Sequence, residues 1–354
     1  MTAGTTVQLS ASTRLKRVFT RVATRLPERT MRTLAPPPVN ADGEEMAPEI
    51  ALMSRVLEML PGTDFSDFPP VKARQIIEQE ALAVADQYSA FEIEEDLVLP
   101  GGLPATRYRA RRTTQGLVLY FHGGGFVAGS RASTDSAVRF IASGAPVDVL
   151  SVDYRLAPEH PFPAALSDAR TAWDYAVAQA PHWGIDPHRI VVAGDSAGGN
   201  LSAVLCHDLR NADVQPLLQV LIYPVTDLSS EHPSWLEFAD QPMLTAKQLR
   251  WYYRHYLDDG SNPRDPRVSP LLMEDMTGLP PAVVTVGGFD PLRDEGIAYA
   301  QRLADAGVPT QLLREGGLVH AFIWFTGISK ASREGAARIT QAIAAAVALD
   351  PAHE

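Results

Sequence analysis

The sequence predicts an α/β protein with about eight strands in a mostly parallel sheet, flanked by helices and interrupted by an inserted lobe. From residue 92 onward, short and nearly continuous apolar runs alternate with helical patterns, as expected for strands buried on both faces of a parallel sheet. The connection from Pro224 to Pro281 is far longer than one crossover helix requires, which is where the lobe is expected. A chain of 354 residues can bury a large core, as two domains or as one with a substantial insertion.

The elements follow in order. Residues 1–40 carry seven basic side chains (Arg14, Lys16, Arg17, Arg21, Arg25, Arg29 and Arg32) against one acid, Glu28. Leu15, Val18, Phe19, Val22 and Leu26 recur at helical spacing before Pro27 and describe a short basic amphipathic helix. Two readings are open: a helix packed on the body of the protein or frayed at the terminus, or weak contact with an anionic membrane surface through residues 14–26. A Pro-rich linker, "APPPVNADG" (35–43), leads to helical patterns near 46–60 and 70–89. Strands are expected at 92–99 and 105–110, an antiparallel pair joined by "PGGLP", then at 116–121, 147–152, 189–193, 218–223, 282–286 and 310–314. Within the lobe, "TAKQLRWYYRHYLDD" (245–259) reads as a helix with Thr245 as N-cap, its aromatics read as core with a substrate wall as the alternative. The domain division is residues 1–90, 91–223, 224–281 and 282–354.

Composition narrows the function classes. A formal net charge of −11 disfavours nucleic acid as a partner. No run approaches the ~18 apolar residues of a membrane span. The N-terminus lacks an apolar stretch with a cleavage site, and the lone Cys206 has no partner for an internal disulfide, so a cytoplasmic location is expected. With no cysteine pair and no close histidine pair, neither a metal nor a cofactor is expected.

Chemistry enters at "RIVVAGDSAGGNL", where a buried strand feeds Gly194, Asp195, Ser196, Ala197 and Gly198 and a helix begins at once. A bare G-x-S-x-G is a weak signal, but at a strand-to-helix turn it lifts the serine hydroxyl above the sheet and aims a helix N-terminus at it. A hydroxyl needs a base to become a nucleophile, and on such a turn the order is serine, acid, histidine. Of the five histidines after Ser196, His207 lies on the following helix, His232 and His255 in the lobe and His353 in the tail. His320, just past the last strand, is the expected base. Asp290 in "GGFDPLRDEG" is the expected acid, with Asp294 and Glu295 as rivals at the start of the next helix. "YFHGGGFVAG" supplies oxyanion donors at Gly124 and Gly125, completed by Ala197 N–H. His122 is expected to pin this loop, while Asp153, Glu159 and His160 organise loops without chemistry.

Together these segments resemble the hormone-sensitive-lipase-like branch of the α/β-hydrolase esterases. The matching pieces are "HGGGF" (122–126), "DYRLAPEHPFPAAL" (153–166), "GDSAGGNL" (194–201), "DPLRDEG" (290–296) and "HAF" (320–322), in the family's order over roughly residues 92–350. The resemblance implies an α/β-hydrolase fold with a helical cap built from the N-terminal helices and the segment 224–281. It also implies a serine carboxylesterase that takes small-molecule esters with short to medium acyl groups and works through Ser196, His320 and Asp290. Pairing of two copies through the edge run 310–314 is a further implication, by analogy with relatives that dimerise there. Two departures stand out: Ala321 where glycine is commoner after the histidine, and residues 1–40 beyond the usual cap. A catalytically silent receptor on the same fold is the competing class. Amide or lactone hydrolysis is an alternative within the enzyme class.

Overall fold

Along the strand Gly116–Phe121, the side chains of Leu117, Leu119 and Phe121 join one buried cluster and those of Val118 and Tyr120 another. That alternation, in a run with no polar residue, requires helices on both faces. A computed structural model describes residues 10–59, 64–110, 114–241 and 243–348 and contains this arrangement. The strands are β1 (Ile93–Leu99), β2 (Leu103–Arg109), β3 (Gly116–Phe121), β4 (Val147–Val152), β5 (Ile190–Asp195), β6 (Leu218–Ile222), β7 (Ala282–Phe289) and β8 (Thr310–Val319). They form one sheet in the order β1-β2-β4-β3-β5-β6-β7-β8. β1 and β2 pair antiparallel, from Ile93 opposite Arg109 to Leu99 opposite Leu103, and β2 is antiparallel to β4; all other pairs are parallel.

The helices are α1 (Ala11–Ala23), α2 (Glu28–Leu34), α3 (Pro48–Met59), α4 (Pro70–Val84), α5 (Arg131–Gly144), α6 (Ala164–Gln179), α7 (Ala197–Asp208), α8 (Pro233–Glu237), α9 (Ala246–Tyr256), α10 (Arg293–Asp305) and α11 (Lys330–Ala348). Ala137, Val138 and Ile141 of α5 and Ile339, Ile343 and Val347 of α11 cover one face of the sheet. Ala169, Ala172 and Trp173 of α6 and Leu201 and Leu205 of α7 cover the other. The small side chains of α6 let that helix lie close to the strands, and Trp173 fills the remaining space.

Three expectations are adjusted. The helix of 70–89 ends at Val84, because Ala85 turns extended (ψ 139°) and its carbonyl accepts from Arg17 and Arg21. The segment 35–43 is no loose linker: Asn40 is buried, its amide donates to Gly288 O, and Ala47 N–H donates to Gly317 O of β8. β8 itself runs on to Val319, well past the apolar run 310–314, with Glu315 of its middle paired to Arg338 of α11. Leu60, at the end of the pattern 46–60, and His353 lie outside the described residues.

The helix expected within the lobe is α9, and Thr245 caps it as anticipated, its hydroxyl accepting from Gln248 N–H while the Gln248 side chain accepts from Thr245 N–H. Phe65 of the N-terminal segment packs on Trp251 and Tyr252 of α9 at ring separations of 5.7 and 5.3 Å, so the two non-sheet segments meet. Among the described residues no helix is long and apolar enough to cross a membrane.

Candidate active site

Four parallel strands deliver the site residues at their C-terminal ends: β3 leads into His122–Gly125, β5 into Ser196, β7 into Asp290 and β8 into His320. This is the edge of an open α/β sheet where loops converge. Ser196 holds φ 55° and ψ −116°, a left-handed conformation that costs a non-glycine residue of order 1–3 kcal/mol. Its N–H donates to Ile222 O at 2.8 Å, which anchors the turn to β6. The turn also needs Gly198, where a Cβ would stand 2.0 Å from Phe121 O.

The three side chains singled out from sequence meet. His320 Nε2 lies 3.1 Å from Ser196 Oγ, and His320 Nδ1 lies 2.8 Å from Asp290 Oδ2. Asp290 is fully buried, and its other oxygen accepts from Leu292 N–H at 2.8 Å. A carboxylate held this way fixes the imidazole with Nδ1 protonated and Nε2 open to a proton from the hydroxyl. His320 is followed by Ala321 at φ 61°, a conformation glycine takes without strain, which accounts physically for the residue expected there.

The glycine loop after β3 is set by backbone conformation. Gly124 has φ 117° and Gly125 φ 60°, conformations that glycine takes without the strain a Cβ would bring. A Cβ on Gly125 would lie 2.2 Å from Cγ of Tyr252, so the α9 ring closes directly over the loop. Ala197, the first residue of α7, presents its N–H from the helix N-terminus. His122 is buried and stacked on Tyr154 at 4.2 Å, with Nδ1 2.7 Å from Gly123 O; burial lowers its pKa, so it stands as a neutral donor to the loop.

Several residues here escape sequence reasoning. Asp195, the variable position of the serine motif, is fully buried; its Oδ1 accepts from Tyr120 Oη at 2.8 Å and from Gly123 N–H at 2.9 Å. Burial pushes its carboxyl above the usual range against the pull of those donors. Tyr223 places its ring 4.7 Å from the His320 imidazole and its hydroxyl 3.5 Å from Asp195.

The rivals for the acid sit elsewhere. Asp294 accepts from Ser234 N–H and pairs with Arg293. Glu295, instead of merely facing a helix N-terminus, is fully buried and accepts from Thr226 N–H at 2.6 Å and Asp227 N–H at 3.2 Å. Asp153 binds Arg131 and Glu159 binds Arg74, loop contacts of the kind anticipated. His207 reaches Tyr299, and His232 pairs with Asp227. Trp251, Tyr252 and Tyr256 are core, Tyr256 stacking on Phe126 at 3.8 Å.

Comparison with known proteins agrees with this geometry. The family described as alpha/beta hydrolase fold matches residues 118–324. The carboxylic ester hydrolase LipN of Mycobacterium tuberculosis is 41% identical over 261 residues, covering 71% of this chain and 69% of LipN. The ethyl acetate hydrolase of Pseudomonas putida is 37% identical over 282 residues, 77% of this chain and 89% of that protein. Among solved structures, the hyperthermophilic esterase of the archaeon Pyrobaculum calidifontis superposes with a TM-score of 0.78 at 36% identity, covering 84% of this chain and 98% of that one. The turn at Ser196, the loop at Gly124 and these likenesses converge: the chain belongs to the hormone-sensitive-lipase-like carboxylic ester hydrolases of the α/β-hydrolase family.

Proposed function

We propose that Ser196 is the nucleophile, His320 the general base and acid, and Asp290 the carboxylate that orients the imidazole, with Gly124, Gly125 and Ala197 as oxyanion donors. The observation that carries this is the unbroken chain Ser196 Oγ, His320 Nε2, His320 Nδ1, Asp290 Oδ2, with separations of 3.1 and 2.8 Å at its two hydrogen bonds. Ser196 Oγ attacks the ester carbonyl while His320 takes its proton. The carbonyl oxygen becomes an alkoxide held by backbone N–H groups, each worth about 3 kcal/mol in the transition state. His320 then protonates the departing alcohol, leaving the acyl group on Ser196 Oγ. Water, giving a proton to His320, attacks that acyl-enzyme, and the acid leaves as the serine regains its proton.

The substrate is a small ester with a short to medium acyl group. Two observations support the size: the Tyr252 ring closes on Gly125 with Phe65 packed against it, and one relative is named for ethyl acetate hydrolysis. The helices of the N-terminal segment and the segment 224–281 together make the cap, with the basic residues of 1–40 as an extension beyond it. A cytoplasmic location accords with the single cysteine, Cys206, which is buried. The N-terminal half of β8 stands at the sheet edge with Leu312 exposed, which supports pairing with a second copy there.

A p-nitrophenyl ester series from acetate to palmitate tests the reading. Turnover should peak at the short to medium members and fall for palmitate, and Ser196→Ala should lose about 10⁴-fold or more while keeping its fold by circular dichroism. A maximum at palmitate would refute the chain-length assignment; a Ser196→Ala enzyme retaining most of its rate would refute the nucleophile.

A further inference from the structure

Helix α1 is oriented opposite to what its pattern leads one to expect. Its apolar residues Val18, Phe19 and Val22 share one face, and they are 61%, 53% and 62% exposed. Ala23 at its end, with Leu26 just beyond, packs against Met31, Ala35 and Leu52, and along the rest of the helix polar side chains reach the body of the protein. Thr13 Oγ1 donates to Gln79 of α4 at 3.0 Å, and Arg17 and Arg21 donate to the carbonyl of Ala85 at 3.4 and 2.9 Å. A helix that only capped the fold would bury its apolar stripe, since each such side chain gains about 1.5–3 kcal/mol by leaving water. Here the polar contacts hold the helix with that stripe facing outward.

The flanks of the stripe say what it fits. Arg14 and Arg25 border it on one side and Lys16 on the other, and residues 11–26 contain no acid. An apolar strip between rows of cations is the pattern of a helix lying in the headgroup region of a bilayer with negatively charged lipids. A second copy is a poorer occupant, because a two-fold contact would set two basic helices side by side. The remainder of the chain is acidic enough to outweigh these cations and give −11 overall, so residues 1–40 stand out in the sequence as a basic segment.

We infer that α1 docks the protein reversibly on an anionic membrane surface, with Val18, Phe19 and Val22 entering the acyl boundary and Lys16 and Arg25 meeting lipid phosphates. The test uses the full chain and sedimentation with vesicles, either pure phosphatidylcholine or phosphatidylcholine with about one third phosphatidylglycerol. The protein should sediment with the anionic vesicles at low salt and be released at about 0.5 M NaCl. Phe19→Glu/Val22→Glu should weaken binding by about tenfold or more and leave turnover of soluble p-nitrophenyl butyrate unchanged, because both side chains are exposed in the fold. Absence of binding at low salt, equal binding to neutral vesicles, or a double variant that binds like the parent would overturn the inference. So would a dimer in sedimentation velocity that the double substitution dissociates, since the stripe would then be covered by a second copy.

Discussion

At Asp195 a single buried carboxylate joins two donors from different parts of the chain, the Tyr120 hydroxyl on β3 and the Gly123 amide that immediately precedes the oxyanion glycines. It touches no reacting atom, so its effect runs through the placement of the loop. Asp195→Ala leaves both donors without an acceptor and frees the loop, which should lower kcat about 10- to 100-fold with KM little changed, because alkoxide stabilisation is felt only in the transition state. Asp195→Asn keeps an acceptor oxygen at Oδ1 and should recover most of that rate; equal defects in the two variants, or a loss confined to KM, would sink the positioning role. The residue also shows what a sequence reading can reach. That Ser196, His320 and Asp290 meet beyond the strand ends is legible because those residue types follow strands in a fixed order. Asp195, Tyr223 and Glu295 are not, because their importance lies in contacts between residues 28 to 75 positions apart, which leave no periodicity.

Among the elements, strands with unbroken apolar runs are legible almost to the residue, as at Gly116–Phe121 and Val147–Val152. β8 is only half legible, since Glu315, Gly316 and Gly317 interrupt its apolar pattern and are held instead by the segment 40–47 and by Arg338. For α1 the periodicity gives the helix but not its orientation, which depends on the contacts with Gln79 and Ala85. The short turn Phe65–Asp67 is likewise fixed by tertiary contacts. Asp64 caps it through Ser66 N–H and also accepts from Lys247 and Gln248 of α9, tying the N-terminal segment to the lobe. Burial alone would raise the Asp64 carboxyl, but those donors together hold it at about 2, below its ordinary 3.8. The stabilisation is therefore present above 3.8 and lost as the pH falls through about 2. Asp64→Ala should cost about 1 kcal/mol in urea unfolding at neutral pH, the scale of a lost cap. That difference should shrink toward pH 2; a gap that stays constant would mean the loss comes from packing and not from charge.

For the whole molecule, the question is what fixes the lobe to the sheet. Glu295 stands at that junction. It binds the amides of Thr226 and Asp227, where the chain leaves β6, and its Oε2 accepts from Trp235 Nε1 of α8 at 3.4 Å. The neighbouring Ser234 hydroxyl donates to Pro291 O, one residue from Asp290, so the lobe, the acid loop and helix α10 share one anchorage. Burial pushes the Glu295 carboxyl up to about 8 from an ordinary 4.5, opposed by the Thr226 and Asp227 amides and by His232. Between those two values the folded chain holds a proton that the unfolded chain has released, so stability falls as the pH rises across that window. Glu295→Gln cannot titrate and still offers an acceptor to the two amides. Its melting temperature should lack the part of the decline that the parent shows from its ordinary 4.5 to about 8, with the curves diverging upward in pH in favour of the variant. His232, whose pKa is raised chiefly by its hydrogen bond to Asp227 and further by Glu295, keeps its Asp227 partner in both proteins and loses only the second contribution in the variant. Parallel curves would mean that Glu295 is ionised throughout, and that the amides of Thr226 and Asp227 outweigh burial in setting the charge on which the lobe is seated.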